Sequence, residues 1–146
     1  MNSPRASILI VEDNTLNLEL ATDLLTGAGH DVRQAESAEE GLRQAPAAPP
    51  TLILMDLRLP GIDGYAALRQ LRKDARTAPI RVVALTAQAM KGDEQAALEA
   101  GFDAYISKPI DTRTFCQTVA RLLSSEGTGH EPTEQAGAAR KDPGSR

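Results

Sequence analysis

Glu12, Asp13, Asp56, Thr86 and Lys108 are three carboxylates, a hydroxyl and an ammonium, and each follows closely on a short apolar run: Ile8 to Val11, Leu52 to Met55, Val82 to Leu85, and Ala104 to Ile106. Three carboxylates gathered in one place would repel and raise one another's pKa, so a divalent cation or the Lys108 ammonium must compensate them. A small set of hard oxygen ligands suits Mg²⁺, which keeps several of its waters and takes one or two carboxylates together with a phosphate oxygen. Taken singly, each of these residues reads as a helix cap or a surface charge. Their shared position at the ends of apolar runs makes them a candidate site.

The elements that must position them follow from periodicity. The run Leu52-Ile53-Leu54-Met55 is unbroken, the pattern of a strand buried on both faces, and it puts Asp56 at the strand's carboxyl end. In an open α/β sheet that edge is where ligands bind. Pro60, Gly61 and Gly64 turn the chain at once, which holds Asp56 at the rim. Ser7 to Val11 makes a first strand ending in Glu12-Asp13. Asn14 then precedes a helix whose predicted face is Leu16, Leu20 and Leu24, with Ala21, Leu25 and Ala28 beside them, closed by Gly27 and Gly29. Asp31 to Ala35 gives a weak second strand, and Ser37-Ala38-Glu39-Glu40 has capping-box spacing for a helix with Ala38, Gly41, Leu42 and Ala45 inward. The linker Pro46 to Pro50 is expected to stop that helix.

A third helix is expected from Tyr65 to Asp74, with Ala67, Leu68 and Leu71 inward, followed by a fourth strand from Ile80 to Leu85. The next helix starts at Ala89 or Asp93 and ends at Ala100, before Gly101; Ala104 to Ser107 is a short fifth strand running into Lys108-Pro109. Asp111 is the expected N-cap of a last helix carrying Phe115, Val119, Leu122 and Leu123, and Cys116 reads as core. Strands alternating with helices five times predict an α/β fold, a doubly wound five-stranded parallel sheet, which brings the carboxyl ends of strands one, three, four and five to one rim.

Length and composition narrow the function classes. A chain of 146 residues bounds a single domain, read as a leader over 1–5, a folded domain over 6–123 and a disordered tail over 124–146 that lacks periodicity. At 41% hydrophobic and 25% charged the protein reads as globular and soluble. A net charge of −4 argues against direct contact with nucleic acid, and 3% aromatics argue against a base-stacking platform. No apolar run approaches the roughly 20 residues of a membrane span and none reads as a signal peptide, so a cytoplasmic location is expected. Cys116 is the one cysteine, and His30 and His130 make no metal-ligand spacing. Gly27-Ala28-Gly29 lies at a helix end without the Lys-Ser/Thr of a phosphate loop.

Five motifs in order, Ile8-Leu9-Ile10-Val11-Glu12-Asp13-Asn14, Leu54-Met55-Asp56, Pro60-Gly61-Ile62-Asp63-Gly64, Leu85-Thr86-Ala87 and Lys108-Pro109, resemble the receiver domains of two-component response regulators over Ala6 to Leu123. The opening and the stretch Ala89 to Asp93 are most similar to stand-alone receivers of the DivK type and to receivers of hybrid kinases. The resemblance implies a CheY-like, flavodoxin-like sheet of strand order 2-1-3-4-5. It also implies that Asp56 is the phosphoacceptor, taking a phosphoryl group from a sensor histidine kinase or a histidine phosphotransfer protein. By the same resemblance Asp13, Asp56 and the main-chain carbonyl of Arg58 hold Mg²⁺, and Glu12 reaches the ion mostly through water. Thr86 and Lys108 bind phosphoryl oxygens, Lys108-Pro109 is a cis peptide, and Thr86 with Tyr105 forms the switch that alters the surface of the fourth helix, fifth strand and fifth helix. Arg58 and Gln88, two residues after Asp56 and Thr86, depart from common choices at positions that tune phosphoryl lifetime. With no effector after Leu123, output is expected through protein contact, with a homodimer allowed, or through onward relay of phosphate.

Two other readings use the same residues. A haloacid-dehalogenase-type phosphotransferase also forms an aspartyl phosphate, but it needs Asp-x-Asp on its first strand, whereas Asp56-Leu57-Arg58 follows the third. A phosphate-independent binding module would keep the fold without needing the full set of site residues.

Overall fold

Strand and helix alternate five times along the residues that the computed structural model describes, 6–86 and 91–124. The elements are β1 (Ser7–Val11), α1 (Thr15–Gly27), β2 (Asp31–Ala35), α2 (Ala38–Ala47), β3 (Leu52–Asp56), α3 (Gly64–Lys73), β4 (Arg81–Thr86), α4 (Lys91–Ala100), β5 (Ala104–Ser107) and α5 (Phe115–Ser124). The strands form one sheet in the order β2-β1-β3-β4-β5, and every pair is parallel. That is the expected α/β architecture.

The unbroken apolar runs have a simple cause. Side chains alternate across a strand, and both faces of this sheet are covered. Leu9, Val11, Ile53, Met55, Val82 and Ala84 pack with Ala45 of α2, Leu68 of α3 and Ala97 of α4. Ile8, Ile10, Leu52, Leu54, Val83 and Leu85 pack with Leu18 and Leu25 of α1 and with Phe115 and Val119 of α5. Because β2 lies on one side of β1 and β3 on the other, the chain's direction across the sheet reverses there. The crevice of a doubly wound sheet opens at such a switch point, beyond the carboxyl ends of the strands.

Helix starts are set by side-chain caps. Asn14 accepts from the Asn17 N–H at 3.0 Å, Ser37 from the Glu40 N–H at 3.1 Å and Asp63 from the Ala66 N–H at 2.9 Å. Glu40 reaches back to the Glu36 N–H at 3.0 Å, so the capping-box spacing at Ser37 does cap a helix.

Several sequence expectations need correction. Leu16 is 76% exposed, and the buried residues of α1 are Leu18, Ala21 and Leu25, with Leu20 and Leu24 at the margin. Leucines at 16, 18, 20, 24 and 25 supply apolar character on more than one face, so the packing of α1 decides which face turns inward. Pro46 does not stop α2, which continues to Ala47 and is capped at Ala48 by a bond from its N–H to the Gln44 carbonyl. A proline near the end removes one helical bond and its fixed φ still suits a helix. Asp111 does make a cap's bonds, its Oδ1 accepting from the Arg113 N–H at 3.0 Å and its carbonyl from the Thr114 and Phe115 N–H groups, while α5 itself runs from Phe115. The helix is described to Ser124. The expected leader, the tail after Ser124, and Ala87 and Gln88 lie outside the described residues.

Candidate functional site

Four strand ends meet at one rim. Strand β1 ends against Glu12, β3 in Asp56, β4 in Thr86, and β5 leads through Ser107 to Lys108. Register brings them level: Val11 pairs with Met55, Asp56 with Leu85, and Thr86 with Ser107. The Leu57 N–H bonds to the Leu85 carbonyl at 3.0 Å and the Lys108 N–H to the Thr86 carbonyl at 2.8 Å, extending the ladder past the strand ends into the site. The Lys108–Pro109 peptide is cis, as the resemblance implied.

Asp56 is 4% exposed and both its oxygens are engaged. Oδ1 accepts from the Arg58 N–H at 3.0 Å, and Oδ2 lies 3.3 Å from Lys108 Nζ. The same ammonium donates to Glu12 Oε1 at 2.9 Å, and Glu12 Oε2 accepts from the Asn14 N–H at 3.0 Å. Thr86 is buried beside them, while Asp13 and the Arg58 side chain are exposed. Tyr105 is half-buried and packs on the core layer of α2, α3 and α4.

The electrostatics follow from burial. Desolvation pushes the Glu12 carboxyl above its ordinary value, opposed by the bonds from Lys108 and the Asn14 N–H and reinforced by the charge of Asp56. Burial also disfavours charge on Lys108, but Glu12 and Asp56 together outweigh it and hold its ammonium above the ordinary lysine value. Carboxylate oxygens of Glu12, Asp13 and Asp56 lie within 4.8 Å of one another, and Lys108 pairs with Glu12 and Asp56. A cluster of hard oxygens with one member open to solvent fits Mg²⁺, which retains water when bound.

Two structural supports were not read from sequence. Asp63 caps α3 through the Asp63-x-x-Ala66 spacing, a signal that could have been used. Gly64 lets the start of α3 approach the end of β3: a Cβ there would stand 2.7 Å from the Asp56 carbonyl oxygen and 2.9 Å from Leu57 Cα. A contact between segments so close to the site had no signal beyond the glycine itself.

The family model of the response regulator receiver domain matches residues 8–120. The chain belongs to the response regulator receiver family. Among curated relatives, the polar-differentiation response regulator DivK of Brucella ovis is 42% identical over 117 residues, covering 80% of this chain and 95% of DivK. Among solved structures, the receiver domain of a sensor histidine kinase from Pseudomonas aeruginosa PAO1 is 33% identical with a TM-score of 0.76, covering 84% of this receiver and all of that one. It has a magnesium ion coordinated in its active site cleft. A CheY-like receiver domain protein from Methanospirillum hungatei JF-1 is 30% identical with a TM-score of 0.73, covering 82% of this receiver and 94% of that chain.

Proposed function

We propose that this receiver is a phosphoacceptor in a two-component phosphorelay and that Asp56 takes the phosphoryl group from a phosphohistidine on a sensor kinase or a histidine phosphotransfer protein. An oxygen of Asp56 forms a bond to phosphorus as the P–N bond breaks, and the departing imidazole keeps that electron pair. Catalysis here is positioning and charge neutralisation, so the same site accepts phosphate from small donors such as acetyl phosphate and loses it slowly to water. Lys108 and Thr86 bind the phosphoryl oxygens. Asp13, Asp56 and the Arg58 main-chain carbonyl hold Mg²⁺, with Glu12 behind them reaching it through water. When bound, the ion offsets the negative charge of the carboxylates and the phosphoryl group.

The observation that carries this reading is the placement of Asp56, buried at the strand end with Lys108 Nζ at 3.3 Å and two more carboxylates beside it. Arg58 and Gln88 tune phosphoryl lifetime, and Thr86 with Tyr105 transmits the change to the α4-β5-α5 surface, where a protein target binds. No helix among the described residues is long and apolar enough to cross a membrane.

Incubation with acetyl phosphate and Mg²⁺, followed by intact mass measurement, tests the proposal. Wild type gains one phosphoryl group and Asp56→Asn gains none, because the nearly isosteric amide does not attack phosphorus. An Asp56→Asn protein that gains the mass at the wild-type rate would exclude Asp56 as acceptor.

A further inference from the structure

Leu16, Leu20 and Leu24 of α1 stand at helical spacing on a face that the other described residues leave partly uncovered. Leu16 is 76% exposed, and Leu20 and Leu24 are half-buried. Two bonds fix the flanks of this helix: on one side Thr22 Oγ1 accepts from Gln34 of β2 at 2.9 Å, and on the other the Leu24 carbonyl accepts from Cys116 Sγ of α5 at 3.2 Å. Leu16 and Leu20 therefore lie outward, toward α5. On α5, Cys116, Ala120 and Leu123 recur at the same spacing and are half-buried too. The seam between the two helices is thus an apolar strip, open to solvent at Leu16.

The charges beside the strip are divided by helix. α1 carries Glu19 and Asp23, both exposed, and no base, whereas α5 carries an exposed Arg121 and no acid. Arg113, in the turn before α5, is exposed as well and pairs with Asp111 at 3.4 Å. Arg81 donates to the Leu122 carbonyl and adds a cation at the other end of α5. An apolar seam with acids on one side and bases on the other is complementary to itself, because a two-fold axis along the seam lays α1 of each copy on α5 of the other. An axis across the seam would instead set Glu19 and Asp23 against their own copies, and like charges so placed disfavour that arrangement.

We infer that a second copy of this chain docks on the seam of α1 and α5, forming a two-fold dimer with the leucines at its centre. Glu19 and Asp23 of each copy face Arg113 and Arg121 of the partner subunit. None of these residues belongs to the phosphorylation site, so the dimer forms without a phosphoryl group. A strip this narrow makes a small interface, with a dissociation constant of roughly 10–500 µM.

Sedimentation velocity on the full chain, from about 1 to 500 µM and without any phosphoryl donor, tests the inference. Wild type should pass from monomer to dimer across that range. Leu16→Glu, at an exposed position, should raise the dissociation constant at least about tenfold. One charge-reversed chain combines Glu19→Lys with Asp23→Lys, and a second combines Arg113→Glu with Arg121→Glu. Each should be monomeric alone, since its two copies repel, yet the two should form a dimer when mixed, because every facing pair is then opposite in sign. All five substituted positions are exposed, and thermal melts verify that each variant folds. A wild type that stays monomeric at the highest concentration, or a dimer that Leu16→Glu leaves unchanged, overturns the proposed face. Charge-reversed chains that do not associate on mixing overturn the placement of α1 on α5.

Discussion

Thr86 and Tyr105 face the same side of the sheet from neighbouring strands: Tyr105 pairs in register with Ala84, and Thr86, two residues beyond Ala84, pairs with Ser107. Side chains two apart on a strand share a face, so the two are diagonal neighbours on the layer that α2, α3 and α4 cover. A movement of Thr86 toward a phosphoryl group on Asp56 would change the space next to the Tyr105 ring. The switch proposed for Thr86 and Tyr105 rests on this diagonal placement.

Thr86→Ala should therefore still accept phosphate at Asp56 but lose most of the conformational response. A hydrogen bond to a charged group contributes about 1.5–3 kcal/mol, which is roughly 10- to 150-fold in a two-state equilibrium. With a phosphoryl mimic such as beryllofluoride, the wild type should show large NMR changes at Tyr105 and along residues 91–98. The variant should show little change. An equal Tyr105 response in both proteins would mean that the coupling bypasses Thr86.

Asp13 is the exposed member of the carboxylate cluster, and Asp13→Ala should remove most of the stabilisation that Mg²⁺ gives to the wild type. A ligand binding only the native state at ten times its dissociation constant adds about 1.4 kcal/mol, a shift of several degrees in melting temperature. Melts with Mg²⁺ and with chelator measure it. A shift retained in full by Asp13→Ala would remove Asp13 from the ion's ligands.

Much of this site was legible because its residues stand where strands stop. Asp56 after Leu52 to Met55, and Thr86 after Val82 to Leu85, needed only the rule that parallel strands are apolar throughout and polar at the rim. What Glu12 does was less legible, since its partner Lys108 is 96 positions away and no local pattern says which carboxylate an ammonium will choose. The inward face of α1 was misjudged for a related reason. Leu16 and Leu18 are equally apolar in sequence, and only the seating of the helix on the sheet buries one and exposes the other. Pro46 and Asp111 mark the neighbourhood in which a helix ends or begins, but bonds to residues such as Gln44 and Phe115 fix the boundary.

His30 should make stability pH-dependent away from the phosphorylation site. It is 6% exposed, and its Nδ1 accepts the Ala6 N–H at 3.1 Å, a bond that requires an unprotonated Nδ1. Burial lowers its pKa below the ordinary 6.5, so the unfolded chain binds the proton more readily than the native one. Its contribution is fully present above that unfolded value and is lost as pH falls below it. His30→Asn keeps an acceptor near the Nδ1 position and does not titrate. Urea melts at pH 7.5 and 5.5 should show a smaller loss of stability in the variant than in wild type. Identical losses would place the pH dependence elsewhere.

Gly64 tests whether the fold and the site share one contact. The Cβ of Gly64→Ala would stand 2.7 Å from the Asp56 carbonyl oxygen and 2.9 Å from Leu57 Cα, and both are backbone atoms that cannot rotate away. The start of α3 must then move off the end of β3, or the end of β3 must move with it. Overpacking of this kind costs about 1–3 kcal/mol, and any displacement of the backbone at Asp56 also shifts its carboxylate against Lys108. Gly27→Ala is the control: nothing lies within 4 Å of a Cβ there, so its stability should be unchanged or slightly raised. Gly64→Ala should thus lose both stability in urea melts and phosphorylation rate with acetyl phosphate, while Gly27→Ala keeps both. If Gly64→Ala were as stable and as quickly phosphorylated as wild type, the close approach of α3 to β3 would not be what holds Asp56 at the rim.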